Sequence, residues 1–508
     1  MFPTDKAPGL NFIDARQVPS GTHLTPDLAI VGGGPAGISL ALALANTPIN
    51  VLLLESGGTA FDAKTQALCA GEEWGVRYIP LDATRLRYFG GCSNHWGGWC
   101  RPLDKIDFEK RDWLPYSGWP FDRTEINPYF SHAQSLIEAG PFLYDKLSDS
   151  VLPGGLLPLA KGGLYTSFFQ FSQWRDNPDH LPTHFGARYA EDLKRVPNLQ
   201  VMLNANVTAL RAGRDPRWID HLDIATLSGK KFTVSPRHTV LAAGAIETAR
   251  LMLVSNDVVT VGIGNQNDLV GRFYADHAIP RDTATLVVFG GEISAFYKAT
   301  QDVKGCHFRG TLSPTADFIH RQQVLGSLIT LEQRTPLDEV GTAAVVATSA
   351  ALGVDGSNAH AYSLGCGMEL APDPDRRLTL TNQRDALGLP RLKLHMTISD
   401  DDFDRYRRTL VELGRQLLGA KAGMVRLDRT SRKDWLSVMD WGNHHMGTTR
   451  MHDDPKQGVV DANSQVHGLA NLFVAGSAVF PTYGSSNPTL NLIALTLRLA
   501  DHFKGVFR

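Results

Sequence analysis

A chain of 508 residues with 43% hydrophobic and 20% charged side chains has the balance of a globular protein with a sizeable core, and its length calls for two or three domains. The formal charge of −2, without any block of like charge, argues against a nucleic-acid surface or a polybasic membrane patch, and no apolar run approaches the length of a membrane span. Five cysteines, Cys69, Cys92, Cys100, Cys306 and Cys366, are an odd count without metal-like CxxC spacing, which favours reduced thiols over a disulfide frame. Cys92 and Cys100 read as small buried hydrophobes.

Residues 1 to about 26 read as an irregular lead-in. Its start, Met1-Phe2-Pro3-Thr4-Asp5-Lys6, has neither the basic nor the apolar region of a signal peptide, so a cytoplasmic protein is expected. Then comes the most informative stretch: Leu28 to Val31 as a buried strand, Gly32-Gly33-Gly34-Pro35-Ala36-Gly37 as a turn, and Ile38 to Ala45 as a helix-like run. Gly32 permits a tight turn, Gly34 lets the backbone approach a pyrophosphate at the helix N-terminus, and Gly37 lets the helix pack close to the strand. A second apolar run, Val51 to Leu54, ends in Glu55, placed to accept hydrogen bonds from ribose hydroxyls. An acid there disfavours a 2′-phosphate, which points to FAD or NAD rather than NADP.

Arg87 to Trp99 is too glycine-rich for a helix or regular strand and predicts a backbone-led loop close to a ligand. Leu114 to Pro120 reads as a turn, and Arg123 to Ala139 as a helix capped by Asp122. Leu199 to Leu203 and Asn206 to Leu210 read as strands, and Thr239 to Arg250 as strand, glycine turn and helix. From about 288 to 435, β-like runs such as Arg377 to Leu380 and Arg391 to Leu394 alternate with one long helix, Asp400 to Leu418, as expected of a substrate domain on a sheet. No internal repeat or low-complexity segment is present. Near the end stand His444-His445-Met446-Gly447-Thr448-Thr449-Arg450-Met451, Asn471 to Pro481, and Ser486-Asn487-Pro488.

Four blocks, Gly32 to Glu55, Gly90 to Trp96, Leu241 to Arg250 and His444 to Asn487, together resemble the glucose–methanol–choline (GMC) family of FAD oxidoreductases, nearest its bacterial pyranose-oxidase-like branch. The resemblance implies an α/β protein, α+β overall. A Rossmann-like FAD-binding domain (residues 1–120, 190–285 and 440–508) would be interleaved with a substrate-binding domain (121–189 and 286–439) on a mainly antiparallel sheet with helices. It implies that His444 is the catalytic base and Asn487 its partner, with the substrate hydroxyl between them facing flavin N5. The asparagine amide would donate to the developing alkoxide. His445, one residue along, is the rival base.

Further positions follow from the same likeness. Ser93 and Asn94 would hydrogen-bond the pyrophosphate or the flavin edge, Val207 would touch adenine with its backbone, and Ala243 and Gly244 would pass close to the pyrophosphate. Asp461 and Ala478 would lie by the ribityl chain or ring. His95, in Ser93-Asn94-His95-Trp96, matches the histidine that carries flavin covalently in pyranose oxidases, and tethering and plain packing both stand as readings. The expected activity is oxidation of an alcohol, a sugar or glycoside secondary hydroxyl, with oxygen or another electron acceptor. An FAD-containing lyase and a non-enzymatic flavin-fold binder are the alternatives; the intact His444 and Asn487 speak against the latter. Oligomeric state stays open.

Overall fold

Two runs of four aliphatic residues, Leu28–Val31 and Val51–Leu54, are buried at every position, the mark of strands covered on both faces. In the computed structural model, which describes residues 11–144, 155–177, 179, 182–289, 291–298, 301–303, 305–334 and 337–507, they lie side by side in register, Leu28 opposite Val51. The parallel sheet around them has six strands, ordered Phe12–Asp14, Leu199–Leu203, Val51–Leu54, Leu28–Val31, His238–Leu241 and Leu472–Val474. Each fully buried Leu or Ile side chain contributes about 1.5–3 kcal/mol relative to exposure.

The first crossover is tight. Gly32 has φ +115°, and a Cβ there would stand 2.5 Å from the Ala242 carbonyl oxygen. A Cβ on Gly37 would fall 1.9 Å from the Gly32 oxygen, so only glycine lets the helix Pro35–Ala43 fold back this close to its own turn. Pro35 opens that helix, where a missing N–H costs nothing. The C-terminal helix Pro488–Val506 packs against it and against Asn127–Leu136, burying Leu490, Ile493, Ala494, Leu497 and Ala500 at helical spacing.

A second, mainly antiparallel sheet runs Gly423–Leu427, Ala284–Val288, His360–Met368, Ser327–Gln333, Cys306–Pro314, Leu164–Phe171 and Trp99–Cys100. At its margin, Ala278–Pro280 pairs antiparallel with Met439–Trp441, Ala278 opposite Trp441. That short pairing builds the site. The helix Asp400–Gly419, capped by a reciprocal Ser399–Asp402 box, packs on Gly423–Leu427. Among the described residues no helix is long and apolar enough to cross a membrane.

The structure departs from expectation in five places. Part of the lead-in is a strand, Phe12–Asp14, too short for periodicity to reveal; Met1 to Lys6 lie outside the described residues. The glycine-rich loop contains a 3-10 turn, Gly91–Asn94, and ends in the strand Trp99–Cys100. The helix foreseen from Arg123 to Ala139 is a 3-10 turn, Arg123–Glu125, followed by Asn127–Leu136, with Pro128 in its first turn. Strands Arg377–Arg384 and Pro390–Met396 join Gly71–Gly75 in a separate three-stranded sheet instead of the large one. Cys92 is exposed on a cavity wall, because the turn aims it outward, whereas Cys100 is buried.

Candidate active site

At the C-terminal ends of the central parallel strands, where ligands sit in open α/β sheets, lies a cavity of about 350 Å³ for the centres of water-sized spheres. Gly32, Gly34 and Glu55 form one end of its wall. A Cβ on Gly34 would meet nothing within 4 Å, so this glycine faces open space at the helix N-terminus, an anion cradle. Glu55 is buried, its two carboxylate oxygens accepting the Gly33 and Gly57 backbone N–H groups at 2.8 Å each. Val207, Ala243 and Gly244 line the same cavity, the last two where the helix Gly244–Val254 begins.

The glycine-rich loop supplies another wall. The Ser93 hydroxyl is used locally, donating to Gly90 O at 2.7 Å and accepting from Phe185 N at 3.0 Å. His95 lies on the wall with its ring exposed to the cavity. Asn94 does not line it: its amide turns back to Phe89 O at 3.1 Å, because the 3-10 turn points that side chain into its own loop. Gly37, Ala478 and Asp461 are also off the wall; Gly37 serves helix packing, Ala478 is buried behind Ser477, and Asp461 closes a turn with Gln465.

Sequence reasoning missed a charged brace at this wall. Glu247 bridges Arg85 at 2.7 Å and Arg87 at 3.0 Å, tying the glycine-rich loop to the helix Gly244–Val254. Burial pushes its carboxyl up, but Arg87, Arg250 and Arg85 outweigh burial and hold it well below the usual carboxylate range. The alternation of Arg85, Arg87 and a distant acid carries no signal in sequence.

At the other end of the cavity His444 and Asn487 come together. His444 follows the strand Met439–Trp441, and Asn487 stands at the N-cap of the C-terminal helix without capping it, so its amide is free for other work. The Asn487 amide nitrogen lies 3.1 Å from His444 Nε2. A Cβ on Gly442 would sit 2.6 Å from His444 Nδ1, so that glycine makes room for the ring. Asp276 Oδ1 accepts the His444 backbone N–H at 2.8 Å, while its Oδ2 accepts from the Tyr78 hydroxyl. Burial pushes the Asp276 carboxyl up to about 7, against those hydrogen bonds.

Burial holds the His444 imidazole well below its ordinary 6.5, with His277 and His445 adding to the effect, so the ring is a neutral base. His445 is also on the wall; its Nε2 and the neighbouring Asn443 Oδ1 are buried without a protein partner, polar atoms that a bound group would satisfy. These orphans, the open space beside Gly34 and the buried acid at the strand end together fit an adenine dinucleotide with a polar ring system beside His444.

Residues 372–496 match the family model described as GMC oxidoreductase. The C-terminal part of the chain is thus similar to the GMC oxidoreductases. The chain is 30% identical over 270 residues to the fructose dehydrogenase large subunit of Gluconobacter japonicus, covering 52% of this chain and 46% of that one. It is 28% identical over 283 residues to a C-glycoside 3-oxidase of Microbacterium trichothecenolyticum, covering 54% and 48%. These matches thus span about half the length of either relative. Pyridoxine 4-oxidase from Mesorbium loti superposes with a TM-score of 0.61 at 20% identity, over 94% of this chain and 99% of that one, a likeness of fold.

Proposed function

We propose that this protein is a GMC-type oxidoreductase that oxidises an alcohol, a sugar or glycoside secondary hydroxyl, to the carbonyl with FAD as its cofactor. One observation carries the proposal: a neutral imidazole nitrogen and an amide donor 3.1 Å apart on the wall of a cavity shaped for a dinucleotide. Gly32, Gly34, Glu55, Val207, Ala243 and Gly244 would hold the nucleotide and pyrophosphate, and Ser93 and His95 would border the flavin. Residues 1–120, 190–285 and 440–508 would form the FAD-binding domain, and 121–189 and 286–439 the substrate domain. The family relatives named for oxidation of a sugar and a glycoside support the substrate class.

FAD, when bound, supplies the acceptor for the carbinol hydride. The chain does the rest. His444 Nε2 takes the hydroxyl proton as the O–H bond breaks, and the Asn487 amide donates to the oxygen as negative charge grows there. Both groups are preorganised by backbone they do not share with the substrate, so little reorganisation is needed at the moment of transfer. Oxygen or another oxidant then takes up the two electrons to close the cycle. The relatives named above are a dehydrogenase and oxidases, which favours the redox reading over the lyase alternative. All five cysteines are free thiols, which supports a reducing compartment such as the cytoplasm.

The test is anaerobic mixing of the yellow protein with D-fructose, D-glucose, a C-linked aryl glycoside and benzyl alcohol, reading the blue absorption band of oxidised flavin. Bleaching by a sugar or glycoside supports the proposal; a protein bleached by none of the panel overturns the substrate class. Acid precipitation decides the bond to His95: colour in the pellet means a covalent flavin, colour in the supernatant a free one.

A further inference from the structure

His277 has no assigned role, yet it is the nearest polar neighbour of the base on the side away from the cavity. It precedes the strand Ala278–Pro280, and the antiparallel pairing of Ala278 with Trp441 brings it opposite Gly442, whose N–H donates to the His277 carbonyl at 3.0 Å. Its ring then meets that of His444 edge to face, centroids 5.0 Å apart, with the two Nδ1 atoms 2.8 Å from each other. Its other nitrogen, Nε2, lies 2.9 Å from the carbonyl oxygen of Gly484. The ring is buried, with Tyr483 packed against it at 5.1 Å.

The donor arithmetic of this chain has one neutral solution. A carbonyl oxygen only accepts, so His277 Nε2 must carry a hydrogen. A neutral imidazole has one N–H, which leaves His277 Nδ1 bare and able only to accept. At 2.8 Å, His444 Nδ1 must therefore be the donor, and His444 Nε2 is left with its lone pair toward Asn487 and the cavity. The other arrangement, in which His277 donates from both nitrogens, needs a buried imidazolium, and burial holds His277 down to about 4.

We propose that His277 is a positioning residue: the Gly484 carbonyl fixes its tautomer, and it in turn locks His444 as the Nδ1–H form, so that the base nitrogen always faces the substrate. When Nε2 accepts the substrate proton, the O–H bond breaks, an Nε2–H bond forms, and the resulting imidazolium keeps a charge-assisted donor bond from Nδ1 to His277 Nδ1. The carboxylate that often supports a catalytic histidine is here replaced by a second histidine; Asp276 holds the His444 backbone instead of its ring. No local pattern in sequence links the pair, which stand 167 residues apart.

The proposal rests on His444 being the base, and its test separates the two. Ring ¹⁵N-labelled histidine in the holoprotein reports tautomers without any substrate, with His444→Gln identifying the signal. A protonated Nδ1 and bare Nε2 on His444 at pH 8 are expected; an Nε2–H form overturns the lock, whatever the panel of sugars and alcohols gives. His277→Leu should leave flavin bound, mix the His444 tautomers and slow flavin reduction by D-fructose, or by whichever panel compound bleaches the native protein, about 10²-fold with KM little changed. His277→Asn, whose amide oxygen takes the place of Nδ1, should recover most of that loss. Equal losses in the two variants, or none in His277→Leu, would overturn the positioning role, and the native tautomer stands as a readout if the Leu variant fails to fold.

Discussion

At the scale of single residues, the site is a set of atoms held by partners that leave one valence free each. The Asn487 side chain sits at a helix N-cap but does not cap, and the His444 ring spends its inner nitrogen on His277. Replacing His444 by Ala should cut flavin reduction about 10³-fold while FAD stays bound, measured by anaerobic rapid mixing; a rate that survives would hand the base to His445. The pH profile has a definite sign. The neutral imidazole is the active form, and burial sets its protonation well below 6.5, so flavin reduction should stay flat from pH 8 to 6 and fall only at lower pH. An acid limb centred at or above 6.5 would contradict the buried, neutral base.

At the scale of elements, the glycine turn does two separable jobs. Gly37 faces the Gly32 carbonyl at a distance no Cβ tolerates, whereas Gly34 faces the cavity. Gly37→Ala should therefore destabilise the fold by about 1–3 kcal/mol or more, read as a lower melting temperature. Gly34→Val should keep the native circular dichroism and melt cooperatively, yet purify colourless because the side chain fills pyrophosphate space. A yellow Gly34→Val protein would displace the phosphate cradle from this turn. Both strands and the turn between them were legible because their mutual pairing, the helix between them and the Glu55–Gly33 bond all lie within one βαβ unit, Leu28 to Glu55. The Phe12–Asp14 strand was not, since three half-buried residues have no periodicity and only pairing with Leu199–Leu203 defines them.

At the scale of the whole molecule, segments far apart in the chain are fastened around the cavity by buried charge. Arg85 and Arg87 meet Glu247, and Arg250 on the same helix meets Asp385 at 2.7 Å, linking the glycine-rich loop, the helix Gly244–Val254 and the small sheet of Arg377–Arg384. Removing one partner leaves buried guanidinium groups uncompensated. Glu247→Gln should cost about 3–5 kcal/mol, seen as a lower melting temperature and weaker flavin retention. An unchanged melting temperature would mean that water reaches the brace and screens it. The large sheet reaches the base at its margin, where the pairing of Ala278–Pro280 with Met439–Trp441 sets His277 against His444.

By itself the sequence determined what local chemistry can determine: a strand, turn, helix and acid whose spacing suits a dinucleotide, and a histidine and an asparagine in family-like strings. It also implied the mixed architecture of parallel and antiparallel sheets. Only the tertiary structure decided which side chains face the cavity. Asn94 and Ala478 turn away from it, although their neighbours Ser93 and Ser477 stay on the wall, because side-chain direction follows from a turn's dihedral angles and from what packs behind it. His277 entered the site in the same way. Its place depends on strand register and on one carbonyl oxygen from the loop before the last helix, and neither is written in the residues around it.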